Sequence, residues 1–136
     1  MNNLLKTYQN FVEQTTSEPS KDTAVFYEKV NSLEKEKPHI NMALLITAGF
    51  GLSSETGEFN EIIKKALFQG KPLSDENIHH LKRELGDVIW YWVNACTSLG
   101  FEPQEVILEN IAKLKSRYPE GHFTESRSEN RKENDL

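Results

Sequence analysis

Apolar residues recur at intervals of three and four along most of this chain, the period of a helix with one covered face. Leu4, Tyr8, Phe11 and Val12 stand at that spacing and predict a first helix over about 3–15. A charged connector follows, roughly 17–38, in which Val25, Phe26, Val30 and Leu33 recur between charges and leave room for a further helix. A long helix over about 40–68 should end at Gly70 and Pro72, and Ser74 or Asp75 should cap the next, over about 75–99. Within that segment Val88-Ile89-Trp90-Tyr91-Trp92-Val93 has the composition of a buried strand. Its surroundings decide for helix, because Leu81, Leu85, Val88, Trp92, Cys96 and Leu99 form one stripe at helical spacing. Gly100 closes it, Pro103 opens a last helix reaching Arg117, and Tyr118-Pro119 ends that one. The expected fold is all-α, an antiparallel bundle of four to five helices in a single domain over 1–123. The tail, 124–136, is almost wholly polar and cannot bury enough apolar surface to order itself.

A length of 136 residues suits one such domain, without internal repeats. Its 21 acidic residues outnumber 16 basic ones, and a net charge of −5 argues against a broad phosphate-neutralising surface for duplex nucleic acid. Cys96 is the sole cysteine, which excludes an intramolecular disulfide and a cysteine-built zinc site. The amino terminus lacks the sustained apolar run of a secretory signal. The longest largely apolar stretch, 42–52, is interrupted by Thr47, Gly49 and Gly51 and is too short to cross ~30 Å of hydrocarbon. These features lead us to expect a soluble, cytoplasmic protein with no membrane association.

Charge placement on the two long helices changes the picture. At about 100° per residue, Leu44, Leu45, Ala48, Leu52, Phe59, Ile62, Ile63 and Ala66 share one arc of the 40–68 helix. Glu55 falls inside that arc, Glu58 at its edge and Glu61 further toward solvent. A carboxylate in an apolar seam costs several kcal/mol unless something neutralises it. On the next helix Glu84, Asp87 and Tyr91 share a side, and Asn94 continues the row. Two antiparallel helices carrying Glu-x-x-Glu and Glu-x-x-Asp can bring four carboxylates together, where mutual repulsion raises their pKa values. Hard divalent cations prefer oxygen donors, and Mg²⁺ is commonly shared between carboxylates and substrate phosphates, an arrangement that supports phosphoryl chemistry. An attacking water would need a base, which Glu58 or Glu61 could supply. The plain alternative for any one Glu-x-x-Glu is a solvated helix face; Glu55 in the apolar arc and the second acidic pair weigh against it.

Two other classes fit less well. A di-iron or di-manganese carboxylate bundle needs Glu-x-x-His on two helices, and only Glu76-Asn77-Ile78-His79 has that form, in a first turn. A non-enzymatic helical interaction module accounts for a bundle with an acidic surface but gives no reason for Glu55. The sequence has no Walker phosphate loop, zincin His-Glu-x-x-His, EF-hand loop or Gly-x-Ser-x-Gly elbow. His39, His79, His80 and His122 share no metal-ligand spacing, and Trp90, Trp92, Phe59 and Cys96 read as packing residues. Mid-helix Gly57 and Gly86 adjoin acids, which suggests close helix approach at the acidic seam; Gly49 and Gly51 could serve the same packing.

Three runs together resemble the MazG-type, all-α nucleoside triphosphate pyrophosphohydrolases: Gly51-Leu52-Ser53-Ser54-Glu55-Thr56-Gly57-Glu58, Glu84-Leu85-Gly86-Asp87-Val88-Ile89-Trp90-Tyr91, and Asn110-Ile111-Ala112-Lys113-Leu114-Lys115-Ser116-Arg117-Tyr118-Pro119-Glu120-Gly121. The similarity covers about 44–123. It implies a metal-dependent cut between the α and β phosphates of a nucleoside triphosphate, a deoxynucleotide or a non-standard one, releasing monophosphate and pyrophosphate. It implies Mg²⁺, with Mn²⁺ as a substitute, held by Glu55, Glu58, Glu84 and Asp87. Tyr91 and Asn94 would face the nucleoside, and Lys113 and Arg117, on the side of their helix shared with Asn110, would receive phosphate oxygens, with Lys65 a further candidate. Association into a dimer or a dimer of dimers is implied too. The loop after the first acidic pair departs from the family pattern Leu-Phe-His-Gly-His, reading Leu67-Phe68-Gln69-Gly70-Lys71, which bears on substrate preference.

Overall fold

The computed structural model describes residues 3–130 and is all-helical, with no strand among the described residues. It comprises α1 (Leu4–Thr15), α2 (Glu18–Lys21), α3 (Thr23–Glu36), α4 (Met42–Phe68), α5 (Asp75–Ser98), α6 (Pro103–Arg117) and α7 (Glu125–Glu129). The chain divides into two compact units, Met1–Met42 and Ala43–Leu136.

The first unit holds the connector, where the spacing left room for one helix and the chain forms two, the short α2 and the longer α3. Pro19 opens α2 within its first turn, where a missing N–H costs nothing. The carboxylate of Asp22 then caps α3, accepting from the backbone N–H of Ala24 at 2.7 Å and of Val25 at 3.2 Å. α2 packs against α3. α1 is capped by Asn3, which accepts from Lys6 N–H at 3.2 Å, and its apolar stripe, Leu4, Tyr8, Phe11 and Val12, stands exposed. At the end of the unit Glu34 reaches forward to accept from the N–H of Met42 at 3.3 Å, answering one of the orphan donors at the start of α4.

In the second unit α4 and α5 are the long elements. α4 stops where Gly70 takes φ +64°, and Ser74 caps α5, accepting from Asn77 N–H at 3.3 Å. Gly100, at φ +75°, ends α5 in the left-handed conformation that glycine adopts without a Cβ penalty. Two pairings fix the relative direction of these helices: position 51 meets position 91, and positions 55 and 58 meet position 84. As one helix advances the other retreats, so they run antiparallel. Ala48, Gly51, Cys96 and Ser98 are buried, and the Ser98 hydroxyl donates to the carbonyl of Ala95 at 2.7 Å, which removes the cost of burying it. α6 packs on α5. Part of the segment expected to stay unordered forms α7, and Arg127 donates to Glu120 at 2.6 Å; residues 131–136 of that segment lie outside the described residues.

Much of the apolar surface of these helices remains uncovered. Leu85, placed by its spacing on the inner stripe of α5, is 51% exposed, and Ile89 and Trp90 are exposed beside it. α6 likewise exposes Ile107, Leu108, Ile111 and Leu114.

Candidate metal centre

Helix period and antiparallel pairing together assemble a carboxylate cluster on the α4/α5 seam. Glu55 and Glu58 are one turn apart on α4, and each offers an oxygen that lies, with one from Glu84 of α5, in a group of three all within 4.8 Å of one another. Glu55 and Glu84 are half-buried and Glu58 is exposed, so the cluster opens from the seam toward solvent. Asp87, one turn beyond Glu84, is exposed and stays outside that trio, yet its charge reaches Glu55.

The electrostatics follow from this crowding. Partial desolvation, then the neighbouring charge of Glu58, then a hydrogen bond and charge from Glu84 and the charge of Asp87 push the Glu55 carboxyl above its ordinary value. All the groups that set its ionisation are acids. A proton or a cation shared among these oxygens relieves the repulsion, and an all-carboxylate donor set suits a hard divalent cation.

Glu61, one turn past Glu58, has a different fate. Lys64 and Lys65 both pair with it, Lys65 at 3.3 Å, and the hydrogen bond from Lys64 foremost holds its carboxyl below the ordinary range. This clamp went unread in the sequence, although Glu61 with Lys64 and Lys65 at i+3 and i+4 is the spacing that makes such pairs. It engages Lys65 within α4.

Of the remaining residues, Tyr91 and Asn94 are half-buried on α5. The Asn94 side-chain amide donates to the carbonyl of Trp90 at 3.0 Å. Asn110 and Lys113 stand exposed on α6, and Arg117 is half-buried at its final turn. Trp90 meets Tyr91 edge-on, with centroids 4.8 Å apart. The expectation of close approach at Gly57 and Gly86 is corrected here: a Cβ at either, or at Gly49, would meet nothing within 4 Å. Gly51 alone of the mid-helix glycines on α4 and α5 is tightly covered, by the ring of Tyr91.

Residues 46–122 match the model of the MazG nucleotide pyrophosphohydrolase domain. Over 72 residues the chain is 36% identical to the Gene 37 protein of Mycobacterium phage L5, a stretch covering 52% of this chain and 63% of that one. This chain thus spans less than two thirds of that relative's length. No solved structure gives a significant match. No helix among the described residues is long and apolar enough to cross a membrane.

Proposed function

The chain belongs to the MazG nucleotide pyrophosphohydrolase domain family, and on that premise we propose that it hydrolyses nucleoside triphosphates, deoxynucleotides or non-standard ones, to the monophosphate and pyrophosphate with Mg²⁺. The observation that carries this reading is the trio Glu55, Glu58 and Glu84, whose oxygens crowd within 4.8 Å although charge repulsion opposes it. A cluster of that kind is costly in a free chain and useful in a cation-binding one. With Asp87 beside them, these residues would hold Mg²⁺, or Mn²⁺ in its place. When bound, the cation would neutralise charge on the phosphates and make a bound water more acidic than bulk water, leaving a carboxylate base to take its proton.

The chain's own residues divide the remaining work. Glu58, exposed at the mouth of the cluster, is better suited than Glu61 to accept the proton of an attacking water, because the two lysines stabilise Glu61 as an anion and make it a weaker base. Tyr91 and Asn94, one and two turns past Asp87 on α5, would orient the nucleoside. Lys113 and Arg117, with Asn110 beside them on α6, would bind the outer phosphates and draw pyrophosphate away as a unit. Lys65 could join them only by leaving Glu61. Association into a dimer or a dimer of dimers is supported by the uncovered apolar faces of α5 and α6, including Ile89, Trp90 and Leu108. A cytoplasmic site of action follows from the substrate, since nucleoside triphosphates are held inside cells.

A panel of canonical and modified triphosphates, assayed with Mg²⁺ and with EDTA and resolved by anion-exchange chromatography, tests the proposal. Monophosphate and pyrophosphate formed only with metal are the expected products. Diphosphate and orthophosphate, or undiminished turnover in EDTA, would refute it.

A further inference from the structure

We propose that Gly51 is a positioning residue: it forms a flat socket on α4 that holds the ring of Tyr91 at the nucleoside end of the acidic site. The inference rests on the functional reading above and extends it to a residue with no side chain of its own.

Gly51 is buried, and a Cβ built there would fall inside the van der Waals envelope of the Cδ1, Cε1 and Cζ atoms of Tyr91. The ring therefore lies against the α4 backbone itself, at a distance that only glycine permits. Gly49 and Gly57, on the same helix, meet nothing within 4 Å, so the close approach belongs to position 51 and not to helix packing along α4 at large. A second brace comes from Trp90, whose ring meets Tyr91 at 87° with centroids 4.8 Å apart. The Tyr91 ring is thus in contact both with the α4 backbone at Gly51 and with the ring of Trp90, which limits its freedom.

The place of the socket gives it meaning. Gly51 precedes Glu55 by one turn on α4, and Tyr91 follows Asp87 by one turn and Glu84 by two on α5. In the antiparallel register the Gly51/Tyr91 contact is the next layer after the carboxylates, so the ring forms one wall at that end of the cluster. Any side chain at position 51 drives the ring out of this layer and leaves the acids where they are. Misplacement of a contact group by about 1 Å can cost up to ~10²-fold in rate.

Steady-state kinetics of Gly51→Ala, Tyr91→Ala and the double variant, with Mg²⁺ binding followed by calorimetry, test this. Gly51→Ala is expected to raise KM for the triphosphate by about tenfold with Mg²⁺ affinity preserved. Gly49→Ala, which enters open space, is expected to leave KM unchanged. Acting through Tyr91, Gly51→Ala should add nothing to KM in the Tyr91→Ala background. An unchanged KM in Gly51→Ala, or the same rise with and without the tyrosine ring, overturns the socket while wild-type turnover upholds the broader reading. No turnover by wild type on any triphosphate overturns both. Should Gly51→Ala fail to fold, recovery of folded protein in the double variant supports the contact, and failure of the double variant where Tyr91→Ala folds overturns it.

Discussion

Replacing Gly57 and Gly86 by alanine should stabilise the protein. Both lie well inside long helices, α4 and α5, and neither has a positive φ. Glycine at such a position costs about 1 kcal/mol relative to alanine, from backbone entropy. Whether alanine recovers that amount depends on the space its methyl enters, and here a Cβ at either position meets nothing within 4 Å. No steric charge offsets the gain. Because the two methyls share no packing partner, their effects should add to roughly 2 kcal/mol in the double variant. Each substitution should raise the thermal midpoint by about 3–5 °C. Urea titration and scanning calorimetry of the single and double variants, over a range of protein concentration, measure this directly. A lowered midpoint in either single variant would refute the reasoning, because it would mean that something beyond the chain's own atoms, a second copy being the first suspect, lies against that glycine.

Glu55→Gln, Glu58→Gln and Glu84→Gln should each abolish metal-dependent hydrolysis, while Asp87→Asn, outside the close trio, should retain measurable Mg²⁺ affinity by calorimetry. The pH dependence of stability in EDTA should carry the sign of Glu55: its folded pKa lies above 4.5, so its contribution is full at acid pH and is lost as pH rises through the folded value. Thermal midpoints should therefore climb as metal-free protein is acidified from neutrality, Glu55→Gln should flatten that limb, and Mg²⁺ should do the same; a limb unchanged in Glu55→Gln would assign it to other groups. Glu61 acts oppositely, since its lowered pKa gives stability that is lost as pH falls through the folded value. Lys113→Ala should raise KM with the helical fold intact by circular dichroism, and loss of the fold would give that lysine a structural duty instead.

The second unit was largely legible in the sequence because its boundaries are marked by residues whose geometry permits little else. Gly70, Gly100 and Pro103 end or open helices where expected, and Ser74 caps α5. Glu55 stood out because a charge in an apolar arc is costly, and it stands half-buried among acids. The connector was harder. Val25, Val30 and Leu33 are only half-covered, so the apolar signal of α3 is weak, although Asp22 followed by Thr23-Ala24-Val25 is a readable cap. The glycines mark the firmest limit: sequence shows that Gly51, Gly57 and Gly86 lack a side chain but not what stands opposite, and only the first proved to be covered. Leu85 fails for a related reason, because a helical wheel assigns a face without saying whether anything covers it.

The short 69–74 turn between α4 and α5 has a kinetic consequence. Acids from two helices meet through hairpin closure alone, a local event of low contact order that can precede most other packing. If the hairpin closes first, their repulsion would be met early in folding. A divalent cation captured as the hairpin closes would speed folding more than it slows unfolding, and stopped-flow refolding with and without Mg²⁺ would place the effect on one limb or the other. On that outcome a divalent cation would take part in the chain's assembly before it took part in any reaction.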